Sequence, residues 1–370
     1  MTALHDWLSL SLAPGLGNVL MARLLAVHGE PAAVLRASAK DLGGIPGISA
    51  RLAQAIGSPA LRRAADQELA KAEAAKVTIL TRDDCRYPEP LRQIYSAPSL
   101  LYVKGAVELL SSPCIAMVGS RAATTYGTRI AADMACRLAR GGLTVVSGLA
   151  LGIDAAAHAG ALEGGATIGV LGCGIDVIYP RQHQELYDAL AGHGALVSEA
   201  PFGARPEPFR FPARNRIISG LSLGVVVVEA ARQSGSLITA RLALEQGREV
   251  FAVPGRIDSV KSCGAHRLLQ EGATLVHSVE DIFAELGMGG VPGGRTAPCP
   301  EKRLGTALTP EEEKLYGWLD VYPQSIDELI QNSRIAPEKV AELLLLLELK
   351  GYVEALSGNQ YQKVSSAEII

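Results

Sequence analysis

No apolar run in this 370-residue sequence reaches the length of a membrane span, and the opening Met1-Thr2-Ala3-Leu4-His5-Asp6 lacks the basic segment of a secretory signal. The chain is therefore expected in the cytosol, with no membrane span. Six cysteines are present, at 85, 114, 136, 173, 263 and 299, yet no two form a C-x-x-C pair. That pattern speaks against a zinc ribbon or a disulfide framework and for reduced packing residues. Aromatic residues are scarce at 5%, but 48% hydrophobic residues, 20% charged residues and 39 glycines describe a globular chain and exclude disorder and collagen-like repeats. Charge of one sign is also missing: the formal net charge is −3, so any case for nucleic acid must rest on local clusters.

What is present is organised in blocks. Residues 71–286 carry 21 basic and 21 acidic side chains, whereas residues 304–364 carry five basic and ten acidic ones. The C-terminal block is thus a poor candidate for non-specific phosphate binding. Within the first block the most regular pattern runs from Cys114 to Glu285, where apolar, largely β-branched runs at 114–118, 143–146, 166–171, 195–198, 224–228, 249–253 and 273–276 alternate with helical segments. Continuous apolar strands separated by helices predict an α/β fold, an extended Rossmann-like doubly wound parallel sheet with ligand loops at the strand ends.

Four segments are expected: a helical domain over 1–72, the Rossmann-like core over 73–286, a flexible linker over 287–305 and a winged helix over 306–370. The N-terminal block holds two similar turns, Leu12-Ala-Pro-Gly-Leu-Gly17 and Leu42-Gly-Gly-Ile-Pro-Gly-Ile48. Each fits either a helix-hairpin-helix turn aiming N–H groups at phosphate or a tight turn in a small helical bundle. The linker is read from Gly289-Gly-Val-Pro-Gly-Gly294 and the absence of hydrophobic period. After it, three helical segments and a hairpin at 351–364 make the winged helix.

Strand-end loops carry the candidate site. Gly119, Ser120 and Arg121 close the first strand, where free N–H groups at a helix start, with a guanidinium beside them, favour an anion. Ser147 and Gly148 close the second and would let a ligand backbone approach. His158 falls four residues after Asp154 on one helix face; as a pair they fit either acid–base chemistry or a polar clamp on the loop. Gly172 and Gly174 start a dinucleotide fingerprint, but Val177 replaces its third glycine, so no nicotinamide or flavin cofactor is expected. The densest signal is 205–216, where Arg205, Arg210, Arg214 and Arg216 face a single acid, Glu207, with Phe209 and Phe211 interleaved and Asn215 between the last two arginines. Positive charge for phosphates combined with aromatic faces for unpaired bases is what single-stranded nucleic acid needs. Core phenylalanines, and arginines tied to Glu199 or Glu229, are the structural alternative.

With Gly119-Ser-Arg, Ser147-Gly-Leu-Ala-x-Gly-Ile-Asp154, Tyr179-Pro180, Phe211-Pro-Ala-Arg-Asn-Arg-Ile-Ile-Ser-Gly-Leu-Ser222, Val228-Glu-Ala, Ser234-Gly-Ser-Leu-Ile-Thr-Ala240 and Val253-Pro-Gly in this order, the sequence closely resembles the DNA processing protein A (DprA, also Smf) family. The resemblance implies a bacterial, non-enzymatic protein with a helical sterile-alpha-motif-like domain, an extended Rossmann core and a winged helix. It implies binding of single-stranded DNA, a homodimer through the core, and loading of the RecA recombinase during natural transformation and recombination. It also places DNA contacts on Arg121 and on Arg181, the basic residue after Tyr179-Pro180; His183 stands where the family often has Asn. Two other classes compete. A nucleoside-monophosphate phosphoribohydrolase-like enzyme would need a carboxylate in the Ser234–Leu242 loop, which has none, and a winged-helix transcription regulator would need a less acidic C-terminal domain.

Overall fold

The computed structural model describes residues 3–289 and 308–363, apart from Val321 and Ser357. Contacts divide the chain into two units, Met1–Thr296 and Ala297–Ile370. The expected linker falls for the most part on residues 290–305, outside the described residues.

The larger unit is built on nine strands: β1 (Thr78–Thr81), β2 (Leu100–Gly105), β3 (Cys114–Val118), β4 (Thr144–Ser147), β5 (Thr167–Val170), β6 (Ala195–Ser198), β7 (Gly224–Val227), β8 (Glu249–Ala252) and β9 (Thr274–Leu275). Their spatial order is β1-β2-β6-β5-β4-β3-β7-β8-β9. Strands β3 to β9 pair in parallel, and each matches one of the seven apolar runs. Two further strands extend this parallel sheet at one edge, where β2 joins β6 antiparallel and β1 joins β2 antiparallel. These strands precede the first strand–helix–strand repeat, so no crossover helix forces them parallel.

Alternate residues of the parallel strands feed two cores. Ile115 and Met117 of β3 pack with helices Thr125–Arg140 and Ile153–Gly164; Ala116 and Val118 pack with helices Arg210–Leu221 and Gly235–Glu245. Every residue of β3 to β7 is buried, which is why these strands read as unbroken apolar runs. Burying each large aliphatic side chain contributes about 1.5–3 kcal/mol.

Six short helices between Ala3 and Ala74 precede β1, three of them started by serine caps at Ser38, Ser49 and Ser58. Their apolar faces form one continuous cluster with Tyr102 of β2 and Leu196 of β6. Polar ties add to it: Trp7 Nε1 donates to Asp83 at 3.1 Å, and the buried Glu68 accepts from the Phe202 N–H at 2.7 Å.

In the smaller unit, helices Pro310–Trp318, Ile326–Ser333 and Pro337–Leu349 stand with β10 (Gln324–Ser325), β11 (Val353–Leu356) and β12 (Gln360–Lys363), ordered β10-β12-β11. This is a winged helix. Reciprocal capping boxes, Thr309 with Glu312 and Ser325 with Glu328, fix the first two helix starts. Leu343, Leu344 and Leu347 fill its core.

Among the described residues, Cys85, Cys114, Cys173 and Cys263 are free thiols. Cys136 is not one of them, so the reduced-thiol expectation holds for four of the six positions. No helix of the described residues is long and apolar enough to cross a membrane.

Candidate nucleic-acid interface

The chain runs from β3 to β6 in one direction across the sheet and then returns to place β7 on the other side of β3. Where that order reverses, the loops after β3 and β7 diverge and leave a crevice at the strands' C-terminal ends. A cleft of about 740 Å³ occupies the place, lined by Gly119, Ser120, Arg121, Tyr179, Phe211 and Asn215, with the 231–236 loop opposite.

The loop Gly119-Ser120-Arg121 stands at this cleft, but the helix start behind it is not free for a ligand. Glu229, at the end of β7, accepts from the Thr124 N–H at 3.0 Å and from the Thr124 hydroxyl; Thr124 Oγ1 in turn accepts from the Gly127 N–H at 2.9 Å. A Cβ on Gly127 would lie 2.5 Å from the Glu229 carboxyl carbon, so glycine is required for this approach. An internal carboxylate thus supplies the negative charge that the helix end favours, which corrects the expectation of free N–H donors. What remains open to the cleft is the loop itself and the exposed Arg121 side chain.

Three other candidate residues make their contacts inside the fold. Ser147 is fully buried and donates to the Met117 carbonyl at 2.6 Å. Gly148 gives its N–H to Asp154 at 3.2 Å and its carbonyl to Arg214 Nη1 at 2.6 Å. Arg214 is only 5% exposed; the same Nη1 also donates to the Val170 carbonyl, and Nε donates to Asn215 Oδ1 at 3.2 Å. A Cβ on Gly148 would meet that guanidinium at 2.5 Å. Arg214 therefore ties the ends of β4 and β5 together while lining the cleft from within. Burial pushes the Asp154 carboxyl up, with Arg214 pulling the other way; burial likewise lowers Arg214, with Asp154 opposing.

The Asp154–His158 pair is not assembled as a couple either. Asp154 binds the Gly148 and Ala150 N–H groups, while His158 Nδ1 meets Thr167 Oγ1 at 2.7 Å. Both are polar clamps inside the fold. Complete burial pushes His158 down to about 3, whereas an unfolded histidine titrates near 6.5. The folded state then refuses a proton that the unfolded state accepts between those values. Stability from this group is full above about pH 6.5 and falls as pH drops toward 3, by about 1.4 kcal/mol per unit. Urea unfolding at pH 7 and pH 5 should show a smaller acid loss in His158→Gln than in wild type; equal losses would dismiss the assignment.

The exposed groups at the cleft are fewer. Arg121 is exposed at the cleft; Arg181 is exposed next to Tyr179-Pro180 but is not part of the cleft lining, and neither forms an ion pair among the described residues. The Arg121 guanidinium lies 5.6 Å from the Phe211 ring centre, within cation–π range, and Tyr179 meets the same ring at 5.5 Å. Phe211, half-buried, is thus the middle of an aromatic step with a cation at its edge. Phe209 is different: its ring is 66% exposed, with the Arg210 guanidinium 5.2 Å from its centre and Arg210 also paired with Glu207 at 3.2 Å. A helix begins at Arg210, directly after Phe209. Helical rotation turns residues two apart to nearly opposite sides, which separates the two rings. Asn215 lines the cleft and donates to the Gly235 carbonyl at 3.5 Å. Arg216 is withdrawn, since it pairs with Glu199 and its side chain is 13% exposed, so its expected DNA contact is corrected to an internal ion pair.

Two parts of the site were absent from the sequence-based set. The 231–236 loop forms one wall, with Ser234 capping helix Gly235–Glu245; its small residues carry no local sign of a ligand surface. Asn18 accepts from the Ser99 N–H at 3.0 Å and donates to Glu199 at 3.3 Å, so the N-terminal helices steady the base of the 199–211 segment. No local signal marks Asn18.

A family model described as DNA recombination-mediator protein A matches residues 78–287 of this chain. The chain belongs to the DprA family. The DprA winged helix domain matches residues 300–359. DNA processing protein DprA of Streptococcus pneumoniae is 50% identical over 204 residues, 55% of this chain and 72% of that one. Protein Smf of Escherichia coli K12 is 40% identical over 315 residues, 80% of each chain. Among solved structures, S. pneumoniae DprA aligns with a TM-score of 0.65 at 39% identity, covering 77% of this chain and 98% of that one. DNA processing protein A of Helicobacter pylori, described for its single-stranded DNA binding mode, aligns at 0.53 and 31% identity over 58% and 96%. DprA membership makes this a protein of DNA processing and recombination.

Proposed function

We propose that this chain binds single-stranded DNA in the cleft at the ends of β3 and β7, performs no chemistry on it, and hands it to RecA in the cytosol during transformation and recombination. The observation that carries this reading is the step formed by Arg121, Phe211 and Tyr179, with a second unpaired guanidinium at Arg181: cations for the phosphates and a ring face for a base. The H. pylori relative's described binding of single strands supports it. A gel-shift series with single-stranded and duplex oligonucleotides at stated salt, beside a nucleotide-hydrolysis assay, tests it. Preference for single strands, weakening with salt and indifferent to sequence, is expected; equal affinity for duplex, or hydrolysis, rejects it. Acceleration of RecA filament assembly tests the delivery step.

A homodimer through the core accords with the edge strand β9, where Leu275 is 51% exposed, and with the exposed Ile257 and Val260 of the loop after β8, apolar groups that a monomer leaves in water. Sedimentation distinguishes the two states.

The exposed Phe209 gives a separable expectation. Phe209→Ala costs about 1–3 kcal/mol of strand binding with little change in stability, checked by titration and thermal melting together. Early melting with normal binding would assign the ring to packing. The acidic winged helix supplies no phosphate contacts in this reading, so a chain ending at Leu286 retains single-strand affinity, unchanged or raised; a folded truncation that no longer binds would move the DNA site to the C-terminal unit.

A further inference from the structure

The segment that edges the cleft has a second groove on its other side. Pro208 and Phe211 belong to the cleft, whereas Phe209 and Arg210 belong to a groove of about 520 Å³ whose far wall comes from Ser11 and the Gly15-Leu16-Gly17 turn. A Cβ on Gly15 or Gly17 would point into open space, so that wall is bare backbone. The floor is polar without being strongly charged: Glu199 is neutralised by Arg216 and held by Asn18. An exposed phenylalanine capped by a guanidinium, at the lip of this groove, is a stacking surface open to a ligand.

From this we propose that the groove between the N-terminal helices and the core is a second subsite for the same strand, which passes from the cleft over Phe209 and lays the next nucleotides against the Gly15–Gly17 wall. This rests on the cleft being a single-strand site. The ligand is a phosphodiester chain with unpaired bases, since a duplex is too wide to turn over a ridge one helical turn thick.

The test compares oligonucleotides of about 6 and about 16 nucleotides on wild type and on Ser11→Trp, which fills the groove from its far wall. Wild type should bind the longer strand about tenfold tighter than length statistics alone give, and Ser11→Trp should remove that gain while binding the short strand as before. A photo-crosslinking residue in place of Ser11, and another in place of Tyr179, give an independent reading should the tryptophan variant misfold. Both should capture the long strand, at different nucleotides. Capture at 179 without capture at 11, or an undiminished gain in a folded Ser11→Trp, overturns the second subsite alone. Failure of wild type to bind either length, with no capture at 179, overturns the cleft reading and this inference with it.

Discussion

Replacing Arg121 and Arg181 together by alanine should abolish most of the single-strand affinity while leaving the melting transition in place. Both side chains are exposed and unpaired among the described residues, so their removal strands no buried partner and changes stability by no more than about 0.5 kcal/mol. A charge-assisted contact to phosphate contributes about 1.5–3 kcal/mol, so each single substitution is expected to weaken binding about tenfold or more, and the pair about a hundredfold. The salt dependence changes with it. Each lost phosphate contact lowers the slope of log affinity against log salt by about 0.7, which anisotropy titrations at several salt concentrations would read. Arg121→Ala should carry a further loss, because its guanidinium also braces Phe211. Proteins that bind as wild type but melt early would show these residues to be structural.

Arg214→Ala should do the reverse, with the largest effect on folding. Its guanidinium supplies the carbonyls of Gly148 and Val170 with their donor and is the leading cationic influence on the buried Asp154. Removing it leaves two buried carbonyls without their donor, about 1–3 kcal/mol for each unsatisfied group, and takes the leading cation away from Asp154, which keeps the Gly148 and Ala150 N–H groups. Urea unfolding should register that loss, and any binding defect should track the unfolded fraction. Arg214→Lys should restore little, because an ammonium cannot reach several acceptors in the planar arrangement of a guanidinium. A folded Arg214→Ala of normal stability that fails to bind would return this arginine to the DNA.

These two outcomes separate arginines that the sequence presents as equals. The run 205–216 displays four of them with the same neighbours, yet Arg205 is exposed, Arg210 pairs with Glu207, Arg216 pairs with Glu199 and Arg214 is buried. Local composition determines that positive charge gathers here, not which charge meets water. The partner of Arg214 lies 66 residues away, at Gly148. Likewise the Gly-Ser-Arg loop was legible as a strand-to-helix junction, but the carboxylate that fills the helix start comes from Glu229, 105 residues beyond Thr124.

By itself, then, the sequence determined what depends on neighbours along the chain. Fully buried parallel strands require unbroken apolar runs, and seven such runs fixed β3 to β9; caps and helical periodicity fixed the winged helix. Of the two antiparallel strands, β1 leaves little pattern to read, since only two of its four residues are buried; β2 has four successive buried residues, but nothing local sets its direction or its neighbour. Tertiary structure decided the rest: the reversal of strand order that opens the cleft, the burial of Ser147, Gly148 and Arg214, the separation of Phe209 from Phe211, and the groove against the N-terminal helices. Each depends on groups brought together across tens of residues, and hydrogen bonding and desolvation act on distance in space, which no local pattern encodes.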